Sequence, residues 1–209
     1  MFLFIKILSS VILTNNLNQK SSFMPALTTP ICDFGWKAPN FELLGIDGKN
    51  YSFSNIKGTN GSLVMFICNH CPYVKSVIHR IVEDCKILQD NGIGVIAVMS
   101  NDVNDPKYGA EDSFDNMKIF SLDNSFSFPY VYDESQGVGK EYDAVCTPDF
   151  FGFNNNDELQ YRGRLEASQQ QLIPDAPKEL LRAMLQIAKT GNGPMEQIPS
   201  IGCSIKWKS

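Results

Sequence analysis

The chain has 209 residues, a formal net charge of −5 and a hydrophobic fraction of 43%, which is enough apolar material for one substantial buried core. Its 18 lysines and arginines are scattered rather than clustered, so we predict no nucleic-acid partner. Six cysteines are too few and too unevenly spaced in a chain of this length for a disulfide-stapled secreted scaffold.

The N-terminal residues combine a short apolar run with polar interruptions. Lys6 and two serines soon after it break the run, which is too short for the roughly 20 apolar residues of a membrane span. We interpret residues 1–30 as a flexible extension, with translation starting at the first methionine or at Met24, and residues 31–209 as one domain. A cytoplasmic location is the expectation, and a secretory or organelle-targeting role for residues 1–23 stays open.

The domain opens, in chain order, with two short predicted strands, Phe41–Leu44 and Tyr51–Phe53. The turn between them places Gly48 where a positive φ is needed. The unbroken apolar run SLVMFI at residues 62–67 is typical of a strand buried on both faces. In residues 72–88 the apolar side chains recur at helical spacing, which predicts a helix.

The second half continues the alternation of strands and helices. IGVIAVMS predicts another buried strand, and a polar loop then leads to a predicted helix at Phe114–Leu122. FPYVYDE predicts a strand, SQGVGKEYDA a short helix and DFFGFNNNDELQYRGRLE a hairpin. PDAPKELLRAMLQIAKT predicts an amphipathic closing helix that Gly191 ends, and the remaining tail has little periodicity. This order indicates an α/β domain with a central sheet covered by helices, and with its chemistry in the loops after the central strands.

One loop, FICNHCPYV, joins a buried strand to the following helix and contains the only C-x-x-C pair, Cys68 and Cys71. Pro72 favours the first turn of a helix, so Cys71 is predicted at the N-cap. Free N–H groups and the helix dipole lower the pKa of a thiol there, and we predict Cys71 as the nucleophile. Cys68 either pairs with Cys71 or lines the floor of the site. His70 either stabilises the thiolate or relays a proton, and a loop histidine that does neither is equally consistent with the sequence.

The other four cysteines receive different interpretations. Cys85 lies on the apolar stripe of the helix and is predicted to pack in the core. Cys146 precedes TPDFF and is expected close to whatever the Thr147–Pro148 turn faces. Cys32 and Cys203 lie in weakly patterned terminal segments, and either one is an alternative, distant resolving thiol.

Two segments together, FICNHCPYV and AVCTPDFF, resemble the thioredoxin-like superfamily. The resemblance implies an α/β, thioredoxin-like fold: a central mixed β-sheet flanked by helices, here with an N-terminal strand extension. It also implies that Pro148 is a cis-proline preceded by Thr147, in a loop opposite the cysteine whose backbone can pair with a bound polypeptide or substrate. From residue 38 to 208, the motifs CNHCPYVK, SND, PYVYDE, VCTPDFF, YRGR and PSIGCSIKWK resemble the peroxiredoxin-like branch, the alkyl hydroperoxide reductase/thiol-specific antioxidant redoxins.

The chain departs from both relatives around the nucleophile. In thioredoxins the first active cysteine comes five residues after a strand phenylalanine, which leads to Cys71 here, and the second would then fall on Val74. The peroxiredoxin pattern P-x-x-x-T-x-x-C, aligned on Cys71, requires a proline and a threonine where this chain has Val64 and Cys68.

The resemblance implies a thiol-dependent oxidoreductase that reduces disulfides or hydroperoxides. This chemistry needs no metal and no organic cofactor, only a thiol reductant such as thioredoxin or glutathione. Peroxiredoxins also use an arginine near the thiolate, and of Arg162 and Arg164 in YRGR we select Arg164. Two alternatives stay open: a Cu(I) metallochaperone that uses Cys68, Cys71 and His70 as soft ligands, and a redox-inert binding module with a thioredoxin fold.

Overall fold

The computed structural model of the protein describes residues 26–209. Most of the predicted extension at residues 1–30, with its targeting alternative, lies outside these residues, and the predicted domain boundary stays a prediction. No helix within residues 26–209 is long and apolar enough to cross a membrane.

The described residues form strands and helices in the order that the sequence predicts for its central part, with additions at both ends. The elements are β1 (Ala26–Thr28), β2 (Glu42–Gly45), β3 (Asn50–Ser52), α1 (Phe53–Ile56), β4 (Gly61–Phe66), α2 (Pro72–Lys75), α3 (Ile78–Asp90), β5 (Ile93–Met99), α4 (Phe114–Asp123), β6 (Tyr130–Tyr132), α5 (Gly137–Glu141), β7 (Cys146–Thr147), β8 (Asp149–Phe153), β9 (Leu159–Tyr161), α6 (Glu179–Thr190) and β10 (Ile201–Ser204).

A seven-stranded mixed sheet in the order β3-β2-β6-β5-β4-β8-β9 is the centre of the fold. Strand β4 pairs in parallel with β5 and antiparallel with β8, and every residue of β4 is buried. Because successive side chains of a strand point to opposite faces, Leu63 and Met65 pack in one core cluster with α3 and α6. Val64 and Phe66 pack in a second, aromatic cluster on the other face. The predicted central mixed sheet is confirmed.

The helix predicted from residue 72 onwards is divided into two. Helix α2 is a single turn that ends at Lys75, and α3 begins at Ile78. The side chain of Ser76 donates a hydrogen bond of 3.1 Å to the Tyr73 carbonyl oxygen. Serine side chains that bond nearby backbone groups in this way compete with a regular helix. The segment that Cys71 begins is therefore only one turn long.

A second, three-stranded sheet has the order β1-β10-β7. Strand β10 lies in its middle, antiparallel to both neighbours, and its Cys203 is paired with Ala26 on one side and with Thr147 on the other. The approach of β10 to β7 requires glycine at position 202, because a Cβ on Gly202 would lie 2.0 Å from the Thr147 carbonyl oxygen. The C-terminal tail, in which the sequence shows little periodicity, is thus an ordered strand against β7.

Candidate active site

Three cysteine side chains converge where β4 gives way to α2, opposite the junction of β7 and β8. The Sγ atom of Cys71 lies 3.0 Å from the backbone oxygen of Thr147 and 3.0 Å from the Sγ atom of Cys203. The Sγ atom of Cys68 lies 3.2 Å from Thr147 Oγ1. The Thr147–Pro148 peptide bond is cis. The structure thus brings together Cys71, Cys68, Thr147 and Pro148, and adds Cys203 to them.

Cys71 occupies the N-cap position of α2, directly before Pro72. Its backbone oxygen accepts hydrogen bonds from the amides of Val74, at 3.1 Å, and Lys75, at 2.9 Å. Its side chain makes no capping hydrogen bond. The structure therefore differs from the expectation in one respect: the amides of this turn bind the backbone of Cys71, and the partners of its sulfur come from elsewhere.

The three thiols share one buried environment, but their pKa values differ because the hydrogen bonds among them favour the ionised form of one and the neutral form of the others. Burial raises the pKa of Cys71, but hydrogen bonds with Cys203, Cys68 and Thr147 outweigh burial and lower it well below the usual range. Burial, and next the hydrogen bond with Cys71, raise the pKa of Cys68 well above the usual range. The hydrogen bond with Cys71, and next burial, raise the pKa of Cys203. Of the three thiols, Cys71 is therefore the one whose ionised form these surroundings favour most.

His70 belongs to a buried polar network that fixes the loop between Cys68 and Cys71. Asp112 Oδ1 accepts hydrogen bonds from the backbone amides of Asn69 and His70, at 2.9 and 3.2 Å. Asp112 Oδ2 lies 2.6 Å from His70 Nδ1. Among residues 26–209, the buried Nε2 atom of His70 has no hydrogen-bond partner. The ring is therefore held by Asp112 through one nitrogen and has the other available for a proton.

The two arginines of YRGR point to different environments. Arg164 pairs with Glu179 at the start of α6, with Nη2–Oε1 and Nε–Oε2 distances of 2.7 and 3.0 Å. Arg162 is buried, lies 3.2 Å from Asp149 Oδ2 and covers the ring of Phe151 at 4.5 Å. Within residues 26–209, neither guanidinium donates a hydrogen bond to a cysteine sulfur. The role predicted for Arg164 stays a prediction.

A cavity of about 230 Å³ lies next to the cluster. Its walls include Tyr73, Pro148, Arg164, Ser200 and Ile201. Cys71 itself is fully buried. The cavity thus reaches the residue that follows Thr147 and the first residue of β10, so it adjoins both segments that contact the Cys71 sulfur.

The remaining three cysteines, Cys32, Cys85 and Cys146, lie against groups other than the Cys71 sulfur. Cys85 is buried in the core, with its sulfur 3.9 Å from the Met65 sulfur. Cys146 is buried, with its sulfur 3.7 Å from the Pro148 carbonyl oxygen. Cys32 is half-buried, and burial raises its pKa to about 11 despite hydrogen bonds with Arg162 and Gln197.

Two functional candidates carry little signal in the sequence. Asp112 lies in a stretch whose composition indicates only a polar loop. Cys203 lies in a tail without periodicity, where it is one of six cysteines and belongs to the PSIGCSIKWK stretch that resembles the redoxin branch. Both reach the site through contacts between segments far apart in the chain, which no local pattern records.

Comparison with known proteins places this site in a family. The sequence model of the AhpC/TSA family matches residues 34–165. An uncharacterized conserved protein from Geobacillus kaustophilus is 40% identical, with a TM-score of 0.82 over 89% of this chain and 98% of its own. A hypothetical protein from Sinorhizobium meliloti 1021 is 30% identical, with a TM-score of 0.79 over 87% of this chain and 98% of its own.

A third solved structure shows the fold alone. A thiol:disulfide interchange protein of the thioredoxin family from Chlorobium tepidum TLS is 18% identical, with a TM-score of 0.52 over 65% of this chain and 89% of its own. The predicted thioredoxin-like fold is thus confirmed. A comparison with curated proteins finds no match.

Proposed function

Because the chain belongs to the AhpC/TSA family, we propose that it is a thiol-dependent oxidoreductase in which the Cys71 thiolate attacks a hydroperoxide or a disulfide. One observation supports this proposal above the others: in one buried cluster the Cys71 sulfur lies 3.0 Å from the Cys203 sulfur and the Cys68 sulfur lies 3.2 Å from the Thr147 hydroxyl oxygen, and the hydrogen bond with Cys203 favours the ionised form of Cys71. The thiolate is the nucleophilic form of cysteine.

The attack on either substrate involves only the sulfur and a leaving group. With a hydroperoxide, a Cys71 S–O bond forms as the O–O bond breaks, and sulfenic acid and an alcohol or water result. With a disulfide, a mixed disulfide forms on Cys71 and one thiolate leaves. A second thiol then releases the product, and an external reductant such as thioredoxin or glutathione restores the dithiol state.

We propose that His70 relays a proton during these steps. Its Nδ1 atom is 2.6 Å from Asp112 Oδ2, and its ring stacks on Tyr108 with a centroid distance of 4.5 Å. Such a ring is oriented by a carboxylate on one nitrogen and can take or give a proton on the other. We propose that His70 is a positioning residue for the leaving group's proton, not an attacking group.

The first experiment measures the ionisation of Cys71. Ultraviolet thiolate absorbance and iodoacetamide trapping, followed across pH with peptide mass spectrometry, are expected to give Cys71 a titration midpoint well below the value of about 8.5 for a free cysteine. Cys85→Ser is the matched control, since Cys85 is a buried core thiol of α3. A midpoint at or above the free value would favour the redox-inert binding module.

The second experiment separates the two substrates. Consumption of hydrogen peroxide and reduction of glutathione disulfide are measured with thioredoxin as the reductant, for the wild-type protein, Cys71→Ser and Cys85→Ser. Cys71→Ser is expected to abolish whichever of the two reactions the wild-type protein catalyses, whereas Cys85→Ser retains it. If Cys71→Ser leaves peroxide consumption unchanged and abolishes disulfide reduction, the peroxidase version is wrong.

A Cu(I)-binding role is the second candidate, on a specific observation. Ligand atoms of the buried residues Cys68, His70 and Asp112 lie within 4.8 Å of one another, and thiol and imidazole are suitable ligands for Cu(I). Competition titration with a Cu(I) chelator tests this role. Binding no tighter than that of free glutathione removes it.

A further inference from the structure

We propose that Cys203, carried by the C-terminal strand β10, is the thiol that closes a disulfide with Cys71, in place of Cys68 of the C-x-x-C pair. The inference rests on the proposed function, because it requires Cys71 to be the attacking thiol. It assigns a further catalytic residue and identifies the class of oxidant that the site accepts.

The distance between the two sulfurs is the first argument. Cys71 Sγ and Cys203 Sγ are 3.0 Å apart although 132 residues separate them in the chain. Both side chains are buried, with exposures of 0% and 1%, so water does not separate them. Two thiols that already touch need only a small adjustment to reach the bond length of about 2.05 Å in a disulfide.

Contacts of the backbone around Cys203 fix its sulfur next to that of Cys71. Gly202 allows β10 to approach the Thr147 carbonyl oxygen more closely than any residue with a Cβ. Directly before the strand, Ser200 Oγ donates a hydrogen bond of 2.7 Å to the Pro148 carbonyl oxygen. After the strand, the amide of Lys206 donates a hydrogen bond of 2.8 Å to Asn101 Oδ1. The position of the Cys203 thiol is thus fixed from both ends of β10.

Cys68 is placed differently. Its sulfur lies 3.2 Å from the Thr147 hydroxyl oxygen. The two residues between Cys68 and Cys71 donate both backbone amides to Asp112 Oδ1. A disulfide between Cys68 and Cys71 would have to form across a loop held by these two hydrogen bonds. The Cys68 sulfur is therefore engaged with the Thr147 hydroxyl, whereas the Cys203 sulfur already touches that of Cys71.

The reaction balances with one oxidant and one water. A hydroperoxide oxidises the Cys71 thiolate to the sulfenic acid, taking up one proton as the alcohol leaves. The Cys203 sulfur then attacks the Cys71 sulfur: the S–S bond forms, the S–O bond breaks, and hydroxide leaves with the Cys203 proton as water. A dithiol reductant of the thioredoxin class returns two electrons and two protons to the disulfide.

The same strand determines which oxidants fit. Strand β10 pairs with β7 on one edge and with β1 on the other, so the edge of β7 that faces β10 is already paired. An extended polypeptide binds a sheet through such unpaired backbone groups. With β10 in place, an extended polypeptide cannot pair with that edge of β7, which favours a small oxidant, a hydroperoxide or a low-molecular-weight disulfide.

Disulfide mapping tests the assignment. The full chain is reduced, treated with one equivalent of hydrogen peroxide or, in parallel, of diamide, blocked with N-ethylmaleimide, and digested without reductant for mass spectrometry. A Cys71–Cys203 crosslink is expected, in the wild-type protein and in Cys68→Ser alike. In Cys203→Ser the crosslink is absent, and the Cys71 sulfenic acid is trapped by dimedone with a lifetime at least about tenfold longer.

The outcomes separate the two proposals. A Cys68–Cys71 crosslink that forms in the wild-type protein, and at the same rate in Cys203→Ser, overturns the assignment of Cys203 while leaving Cys71 as the nucleophile. A wild-type protein in which neither oxidant modifies Cys71 overturns the proposed function itself. If Cys203→Ser does not fold, the wild-type and Cys68→Ser maps still decide, because each shows directly which sulfur joins Cys71.

Discussion

Cys71 is buried away from water, so its pKa depends on the few groups that touch its sulfur. Burial raises the pKa of Cys71, and the hydrogen bond with Cys203 is the largest of the effects that lower it. A hydrogen bond to a charged group contributes about 1.5–3 kcal/mol. Removal of this bond should therefore move the equilibrium of Cys71 towards the neutral thiol.

We predict that Cys203→Ala raises the titration midpoint of Cys71, because alanine offers no donor to the thiolate. Cys203→Ser is expected to raise it less, since a hydroxyl still donates. Thiolate absorbance as a function of pH measures both midpoints in the same buffer. Equal midpoints for the wild-type protein and Cys203→Ala would show that Cys203 does not stabilise the charge on Cys71.

The buried pair of Asp149 and Arg162 is a second place where one charge depends on another. Burial raises the pKa of Asp149 to about 6, although the charge of Arg162 lowers it. The folded-state pKa thus lies above the unfolded value of about 3.9. The stabilisation that the protonated carboxyl contributes is complete below about pH 4 and is lost as the pH rises through about 6.

Arg162→Leu removes the positive charge and leaves the Asp149 carboxylate unpaired. We predict a loss of about 3–5 kcal/mol in the free energy of unfolding at about pH 7.5, and a smaller loss at about pH 5, where a proton neutralises Asp149. Urea unfolding at the two pH values measures the difference. Arg164→Leu is the matched control: its partner Glu179 is about a quarter exposed, so a loss of about 1 kcal/mol, similar at both pH values, is expected. A loss in Arg162→Leu that does not depend on pH would contradict this account.

Local patterns predict much of the fold and less of the site. An apolar run predicts strand β4, and an amphipathic period predicts helix α6. The glycine between two short strands predicts the turn at Gly48, where the structure has a positive φ of 80°. The interruption at Ser76 has no such signal, because it depends on one side chain bonding the carbonyl oxygens of Tyr73 and Gln169. Strands β1 and β10 are short, with three and four residues, and their pairing joins opposite ends of the chain.

The site shows the same division between local and distant contacts. Cys71 and Pro72 are adjacent, so the sequence alone places the proposed nucleophile before a helical turn. Asp112 and Cys203 contact the loop that contains Cys71 from 42 and 132 residues away. Their contribution depends on the topology of both sheets, which a single sequence does not specify residue by residue.

Strand β10 makes its own testable contribution. We predict that Gly202→Ala displaces β10 from β7, because the new Cβ would contact the Thr147 carbonyl oxygen. The yield of the Cys71–Cys203 crosslink should fall, and the rate of Cys71 alkylation by iodoacetamide should rise severalfold as the sulfur becomes accessible. Ser204→Ala, on the same strand but half-buried, is the control and should leave both quantities unchanged. An unchanged crosslink in Gly202→Ala would mean that β10 is not held by this close approach.

The redox state should change the stability of the entire domain. A disulfide between Cys71 and Cys203 closes a loop of 132 residues, which in the chain-entropy account lowers the entropy of the unfolded state and stabilises the fold by about 5 kcal/mol. A disulfide between Cys68 and Cys71 closes only a few residues and would contribute about 2 kcal/mol. Urea unfolding of the oxidised and reduced proteins is therefore expected to differ by an amount nearer the larger value. A difference near the smaller value would indicate the C-x-x-C pair instead.

The seven-stranded sheet does not include the C-terminal strand. A premature stop codon or a protease that removes the last ten residues would therefore leave all seven strands of that sheet in the chain and delete Cys203. Such a shortened enzyme would carry one reactive sulfur instead of two, and its oxidised form would wait for a thiol from solution. If Cys203 is the second thiol as proposed, trimming of this tail would thus replace an internal thiol with an external one such as glutathione.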